Sequence, residues 1–544
     1  MPRGLPNSSR GQARMSVCTG GSSGATTHWS SMRSRGRHER RRRPPVPGAG
    51  DGGVAVLERD QPADPAPVLD DRSAQRAARN VAAIVAGELV GKAATLLFTI
   101  VVARELGPTS FGSLSYALAF GLLLSTLVGW GFDAEQIRRA SADRQDLGAV
   151  LAQGLVLRTV HAVPVVLVGV LLGVLTRPSA PAAAALVLVL LASVSDSYGD
   201  AGRSAATAIE QLGGTVVALV TQRISASVLA VAVLAAGGGL VAVAAMYLLS
   251  SLLGQLCLAL ILRRLGVRPR WSAVDRAALM DMWRRTFLLG VDAVLSTALF
   301  RLDALMLGAL SGDREVATYS VAYRLMETVL FVNWAVSRSL FPAMVRAEKG
   351  QPLLRVAETA VSIAGAVLVP YGVLVAVDGD GLLQLLFGAS YGHDSFVALQ
   401  LLAFAPVAFG VSYFGSFLLV VQQRKVRLLL TTVAAVVLNA ALNLVLIPMV
   451  GARGAAAATT VSYALQAVFT IALVAPHNGV LRAERGLALP VVASVPMACA
   501  LVLLHAPVLV EAVTATAVYL AVYLLLARWR DPAQLRVLLS VVRR

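Results

Sequence analysis

Nine ionisable side chains sit inside stretches that are otherwise apolar: Glu88, Lys92, Arg158, Arg223, Asp292, Arg301, Asp303, Arg324 and Glu327. A charge in an apolar environment is costly unless it finds a partner or faces a polar cavity. Some of the nine have a partner on their own helix. Glu88 and Lys92 are spaced i,i+4, and Arg324 and Glu327 i,i+3, so each pair can neutralise itself on one helix face. Asp303 is placed to bridge to Arg301 or Arg324. Arg158 and Arg223 have no acid at i±3 or i±4, and His161, three residues from Arg158, is no counter-charge. Each needs an anion from elsewhere. That anion is either an acid on a neighbouring helix, such as Asp292 or Asp196, or a bound ligand. A guanidinium fork matches phosphate oxygens bidentately. Arg158, Arg223, Lys92, Arg301 and Arg324 are therefore the candidate anion-binding residues. Glu88, Asp292, Asp303 and Glu327 are the candidate structural ion-pair partners.

Bond-making chemistry has no foothold. The chain has no HExxH and no phosphate loop. Cys18, Cys257 and Cys499 lie far apart without ligand spacing, so no disulfide, metal or cofactor is expected. The pattern suits a transporter rather than an enzyme.

The elements that must position these charges are membrane spans. Of 544 residues, 56% are hydrophobic and 15% charged, and the mean hydropathy is +0.70. Soluble domains are about 45–50% apolar and about 25% charged. A chain this apolar needs the bilayer as part of its solvent. The net charge of +17 does not point to nucleic acid, since there is no zinc spacing and no aromatic-basic platform. At about 20 apolar residues per crossing, fourteen spans follow. They lie near 82–104, 111–131, 148–174, 182–200, 213–235, 238–262, 286–310, 315–340, 356–377, 396–421, 427–449, 453–474, 487–504 and 507–527. Leu106-Gly107-Pro108 reads as the tight turn between the first two spans.

Cations cluster at alternate connections: Ile137 to Arg144, Arg263 to Arg285, Arg346 to Arg355, Arg424 to Arg427 and Arg482 to Arg485. The other connections are short and cation-poor. Lys and Arg concentrate on the cytoplasmic side, which puts both termini in the cytoplasm of a cell-membrane protein. Residues 1–80 are basic, then rich in Pro and Gly, with too few aliphatic residues to offset ordering entropy, and read as a disordered arm.

The turn regions repeat. Leu106-Gly107 followed by Ser115-Tyr116-Ala117 is echoed by Leu307-Gly308 followed by Tyr319 to Ala322. The Gly-rich turn within Leu234 to Ser250 is echoed by Ile447 to Leu465. The expected fold is an all-α polytopic membrane protein with about fourteen transmembrane helices. Two six-helix lobes form a parallel pseudo-repeat, and two C-terminal helices follow. The lobes are 81–262 and 286–475, the cytoplasmic linker is 263–285, and residues 476–544 carry the last two spans and a cytoplasmic tail. Parallel repeats place a substrate between the lobes near mid-membrane.

"ARELGPTSFGSLSYAL" (Ala103 to Leu118), "RLDALMLGALSGDREVATYSVAYRLMET" (Arg301 to Thr328), "SLFPAM" (Ser339 to Met344) and "LNAALNLVLIPMVGARGAAAATTVSYAL" (Leu438 to Leu465) resemble the polysaccharide-unit flippases that export O-antigen and exopolysaccharide units. The resemblance covers about residues 80–480. It implies the multidrug/oligosaccharidyl-lipid/polysaccharide exporter fold. It further implies translocation of an undecaprenyl-pyrophosphate-linked oligosaccharide by alternating access, for cell-surface polysaccharide biosynthesis. The implied partners are that lipid-linked substrate, membrane lipids, and polymerase and glycosyltransferases of the same pathway. The candidate cations would hold the pyrophosphate. Two other readings remain open. One is a cation-coupled small-molecule antiporter of the same fold, which should show an acid-lined cavity where the candidates here lean cationic. The other is a membrane glycosyltransferase or polymerase, which needs a large external loop with carboxylates.

The charge alternation makes a topological prediction. Single cysteines at Ser110 and Ser311 should label with an impermeant reagent from outside the cell, and those at Ser272 and Gln423 should not. External labelling at Ser272 would break the count in the first lobe.

Overall fold

The computed structural model describes residues 71–530, apart from 178, 348, 349 and 423. The expected disorder of residues 1–70 and the tail beyond 530 fall outside the described residues. Every regular element among the described residues is helical. In chain order they are α1 Asp71–Gly129, α2 Phe132–Ala142, α3 Leu147–Thr176, α4 Ala180–Ala208, α5 Leu212–Ala235, α6 Leu240–Arg264 and α7 Arg276–Leu310. There follow α8 Asp313–Arg346, α9 Gln351–Phe387, α10 Gly392–Leu402, α11 Ala405–Val421, α12 Lys425–Asn478, α13 Ala483–Leu503 and α14 Val508–Arg530.

Two helices are too long to be single crossings. The 59 residues of α1 would measure about 88 Å at 1.5 Å per residue, roughly three hydrocarbon cores. The helix breaks at Gly107, where φ is 73° and Pro108 follows. Nothing crowds this glycine, so it is the positive φ that requires it. The two arms meet again at Tyr391. Its hydroxyl donates to the Ala103 carbonyl at 2.7 Å, and its ring sits edge-on to Phe111 at 6.1 Å. Residues 103 and 111 are equidistant from the break, so α1 is a hairpin. Likewise α12 breaks at Val450 and Gly451. Arg427 Nη1 donates to the Leu473 carbonyl at 3.3 Å, which closes its two arms on each other.

Among the described residues, eleven segments are long and apolar enough to cross a membrane. The two hairpins among them raise the passes to thirteen. The fourteenth is α8, whose six charged residues from Asp313 to Arg338 lower its hydropathy. It follows α7 after only Ser311 and Gly312, so it must run back alongside it. The tenth span is two helices, α10 and α11.

Three boundaries differ from the sequence expectation. The N-terminal arm was expected to reach residue 80, but α1 begins at Asp71, because Ala, Arg and Gln are good helix formers outside the apolar core. The linker was expected to end at 285, but α7 starts at Arg276. There the Asp275 side chain accepts from the Ala278 backbone N–H at 2.7 Å, a capping contact. Part of the Ile137 to Arg144 connection is helical. It belongs to α2, whose acids Asp133 and Glu135 lie in its first turn and Arg139 in its last, matching the helix dipole.

The first six helices pack chiefly on one another, with α1 on α4 and α5, and α6 on both of those. In the second half, α7 and α11 pack on α12, and α9 packs on α8 and α13. The halves meet where α1 lies against α7 and α8. At the end of the Gly107 turn this seam is polar. Asp313 takes Arg177 Nη1 at 2.8 Å and the Ser113 hydroxyl, and the Arg177 guanidinium lies 3.9 Å from the Tyr116 ring centroid. At the opposite end Arg139 pairs with Asp281 at 2.6 Å. The guanidinium of Arg138, then that of Arg139, holds the Glu135 carboxyl below the usual carboxylate range.

Gly112 lets α1 and α8 touch. A Cβ there would stand 1.7 Å from the Asp313 carbonyl oxygen, and backbone cannot yield as a side chain does. Gly112→Ala should cost about 1–3 kcal/mol, as overpacking does. It should lower the melting temperature of the purified protein and weaken cross-linking of a Ser113→Cys, Asp313→Cys pair. An unchanged melting temperature would reject this close seam.

Candidate functional site

A cavity of about 410 Å³ lies between the halves. Its second-half wall carries one ion-pair cluster. Glu327 on α8 accepts Arg301 Nη2 from α7 at 2.6 Å and, with its other oxygen, Arg324 Nη1 from one turn back at 2.9 Å. All three line the cavity. One carboxylate shared by two guanidiniums leaves that wall with a surplus positive charge. The Tyr323 ring lies 5.7 Å from the Arg301 guanidinium and steadies it.

The first-half wall is acidic. Ser193, Asp196, Ser197 and Asp200 all line it from α4. Their i, i+3, i+4, i+7 spacing puts them on one helix face. Asp133 joins them from α2. Asp133 pairs with Arg158 at 2.5 Å, and Asp200 with Arg203 at 2.7 Å. Among the described residues no cation stands at ion-pair distance from Asp196. Its carboxylate accepts instead from Gln222 at 2.8 Å, Ser251 at 2.6 Å and Gln255 at 3.0 Å. With the Arg158 and Arg203 partners counted, this wall keeps a surplus negative charge. The cavity is thus split, positive across from negative.

An adjoining cavity of about 270 Å³ opens between α1, α4, α5 and α6 and shares Thr95, Phe98, Asp196 and Tyr247 with the first. Arg223 lines it. It reaches across to Glu88 at 3.3 Å.

The structure brings together only part of the expected set. Arg301, Arg324 and Glu327 share the cavity. Arg158 does not line it. Its side chain is fully buried, and it is held by Asp133, by Gln136 at 2.9 Å and by the Gly154 carbonyl at 3.3 Å. Lys92 is not the partner of Glu88. It lies 5.4 Å from the ring centroids of both Phe331 and Trp334, while Glu88 turns to Arg223. Asp303 bridges to neither Arg301 nor Arg324. It is fully buried behind the wall, where it accepts from Tyr319, Thr459 and Asn443. Asp292 takes Thr432 at 3.4 Å and lies outside the cavity. The expectation of a cationic lining also needs correction, since four carboxylates and two guanidiniums line the main cavity. The missed acids had a legible signal in the α4 spacing, whereas Asp133, beyond the end of its span, had none.

Arg158 and Asp133 are unequal partners. Arg158 is 0% exposed and Asp133 39%. Removing the acid strands a buried cation, which costs about 3–5 kcal/mol. Removing the cation leaves an acid already open to the cavity. Asp133→Asn should therefore lower the melting temperature more than Arg158→Met. The reverse order would refute this assignment.

Residues 77–348 match the family described as polysaccharide biosynthesis protein. No curated protein matches the sequence. Among solved structures, the lipid II flippase MurJ in an inward closed conformation is similar, with a TM-score of 0.67 at 11% identity, covering 82% of this chain and 98% of that one. A multidrug resistance MATE family transporter of the MOP superfamily is similar in its inward-facing conformation, with a TM-score of 0.56 at 18% identity over 70% of this chain and 92% of that one. A multidrug resistance MATE family transporter in an outward-facing conformation gives 0.54 at 16%, over 72% and 93%. These likenesses carry the fold, and the family match carries membership. The chain is a multi-pass membrane protein and belongs to the polysaccharide biosynthesis protein family.

Proposed function

We propose that the protein is a flippase that carries an undecaprenyl-pyrophosphate-linked oligosaccharide across the cytoplasmic membrane. The observation that carries this reading is the clamp of Arg301 and Arg324 on Glu327 at the cavity wall. Two guanidinium forks held in place by one carboxylate are preorganised for a pyrophosphate, whose oxygens can compete with Glu327 for their N–H groups. The two halves rock about the cavity, with both termini in the cytoplasm and residues 265–275, between α6 and α7, as the link. Cargo shifts the equilibrium between the two facings only by binding one better than the other. Arg223 and Lys92 flank the route rather than the clamp. The protein moves its cargo without making or breaking covalent bonds.

The antiporter reading is favoured by one observation, the acidic first-half wall. The two separate by substrate. An antiporter of this kind should export cationic dyes, and the variants below should then leave lipid-linked sugar unaffected.

In proteoliposomes, Arg324→Ala should abolish translocation of a polyprenyl-pyrophosphate sugar while the protein stays folded. Arg324→Lys should restore it only in part, because Lys keeps the charge and loses the fork. Glu327→Gln frees both guanidiniums, so it should bind the pyrophosphate lipid more tightly and release it more slowly. Full translocation by a folded Arg301→Ala, Arg324→Ala double variant would remove the clamp from the mechanism.

A further inference from the structure

The acid wall has a feature that its ion pairs do not explain. In Asp133, Asp196 and Asp200 alike, every protein donor lands on the same oxygen, Oδ1. Arg158 and Ser204 donate to Asp133 Oδ1. Gln222, Ser251 and Gln255 donate to Asp196 Oδ1, and Arg203 donates twice to Asp200 Oδ1. Among the described residues no donor reaches the three Oδ2 atoms, none of them is a fully buried orphan, and all three aspartates line the cavity. Here each is anchored by one oxygen and offers the other.

We infer that this wall is the glycan-reading face of the cavity, and that it takes neutral sugars and rejects sugars carrying a carboxylate. The inference rests on the flippase reading and names its substrate class. An ionised acceptor bonds a sugar hydroxyl about twice as strongly as a neutral one. Three of them along one wall suit a hydroxyl-rich ring. Phe98 and Tyr247, with ring centroids 5.9 Å apart, line both cavities beside Asp196 and give the C–H face of a sugar an apolar surface. The two cavities, about 410 and about 270 Å³, lie within or just below the range of roughly 300–1,000 Å³ for ligand sites. A uronic acid would set a fourth carboxylate against three, and like charges this close repel. The surplus cation sits on the opposite wall, already committed to the pyrophosphate. Cargo is thereby oriented, with phosphates toward α7 and α8 and sugar toward α4.

Two sets of probes test this. The first is free methyl glucoside and methyl glucuronoside, with binding to the purified protein read by saturation-transfer NMR. The glucoside should bind and the glucuronoside should bind about tenfold more weakly, because a repelled carboxylate takes the place of a bonded hydroxymethyl group. Asp196→Asn, which keeps an oxygen for its three donors, should weaken the glucoside and narrow the gap. Asp200→Asn serves as the second variant if the first lowers the melting temperature. The second set is polyprenyl pyrophosphate bare, with one glucose, or with one glucuronic acid. Asp196→Asn should reduce the advantage of the glucosyl lipid about tenfold and leave the bare lipid unchanged. Equal binding of the two methyl glycosides overturns the inference, as does a variant that shifts all three lipids alike. Failure of the bare lipid to bind, with the glucoside preference intact, overturns the flippase reading and upholds the sugar face.

Discussion

A guanidinium or carboxylate inside a hydrocarbon slab must be answered by another group, since water is not there to do it. Most of the architecture around the cavity follows from that demand. Arg158 draws α2 onto α3 through Asp133, Arg223 ties α5 to α1 through Glu88, and Arg301 ties α7 to α8 through Glu327. Where a cation is not available, neutral donors serve. Tyr319, Thr459 and Asn443 surround Asp303, and two glutamines and a serine hold Asp196. The aromatic faces of Phe331 and Trp334 take Lys92. Each of these contacts joins different helices, so the charges that are hardest to bury are also the ones that set helix against helix.

What remains after this pairing is small and divided between two walls. One acid without a cation faces two cations that share one acid. That division gives a cavity direction, since an anion prefers one side and a hydrogen-bond donor the other. The polar contacts at the two ends of the seam, Arg177 with Asp313 and Arg139 with Asp281, lie outside the cavity. They join the halves at its margins, Arg177 with Asp313 buried and Arg139 with Asp281 partly open to solvent.

The number and kind of elements were readable from the chain alone. Runs of about twenty apolar residues leave a helix as the only way to satisfy the backbone in lipid. Leu106-Gly107-Pro108 marks a turn because of what glycine and proline do to φ. The Arg324–Glu327 contact was readable for the same reason, because i,i+3 neighbours share a helix face whatever surrounds them. The stripe from Ser193 to Asp200 was equally local, though its acids looked like a burden on a span until a cavity lay beside them.

Partners across helices were not readable. Glu88 had a plausible neighbour in Lys92, and only the approach of α5 gave it Arg223 instead. Asp303 stands two residues from Arg301, yet the helical twist turns it toward α12 and away from the cavity. Arg158 passed for a ligand-binding residue because its acid, Asp133, lies 25 positions away on a short helix outside the apolar pattern. Sequence therefore determined the helices, their turns and which charges would need an answer, since each depends on neighbours within a turn of chain. Tertiary structure alone decided which answer each charge received, because ion pairing falls off over a few ångströms and those distances are set by how separate helices pack.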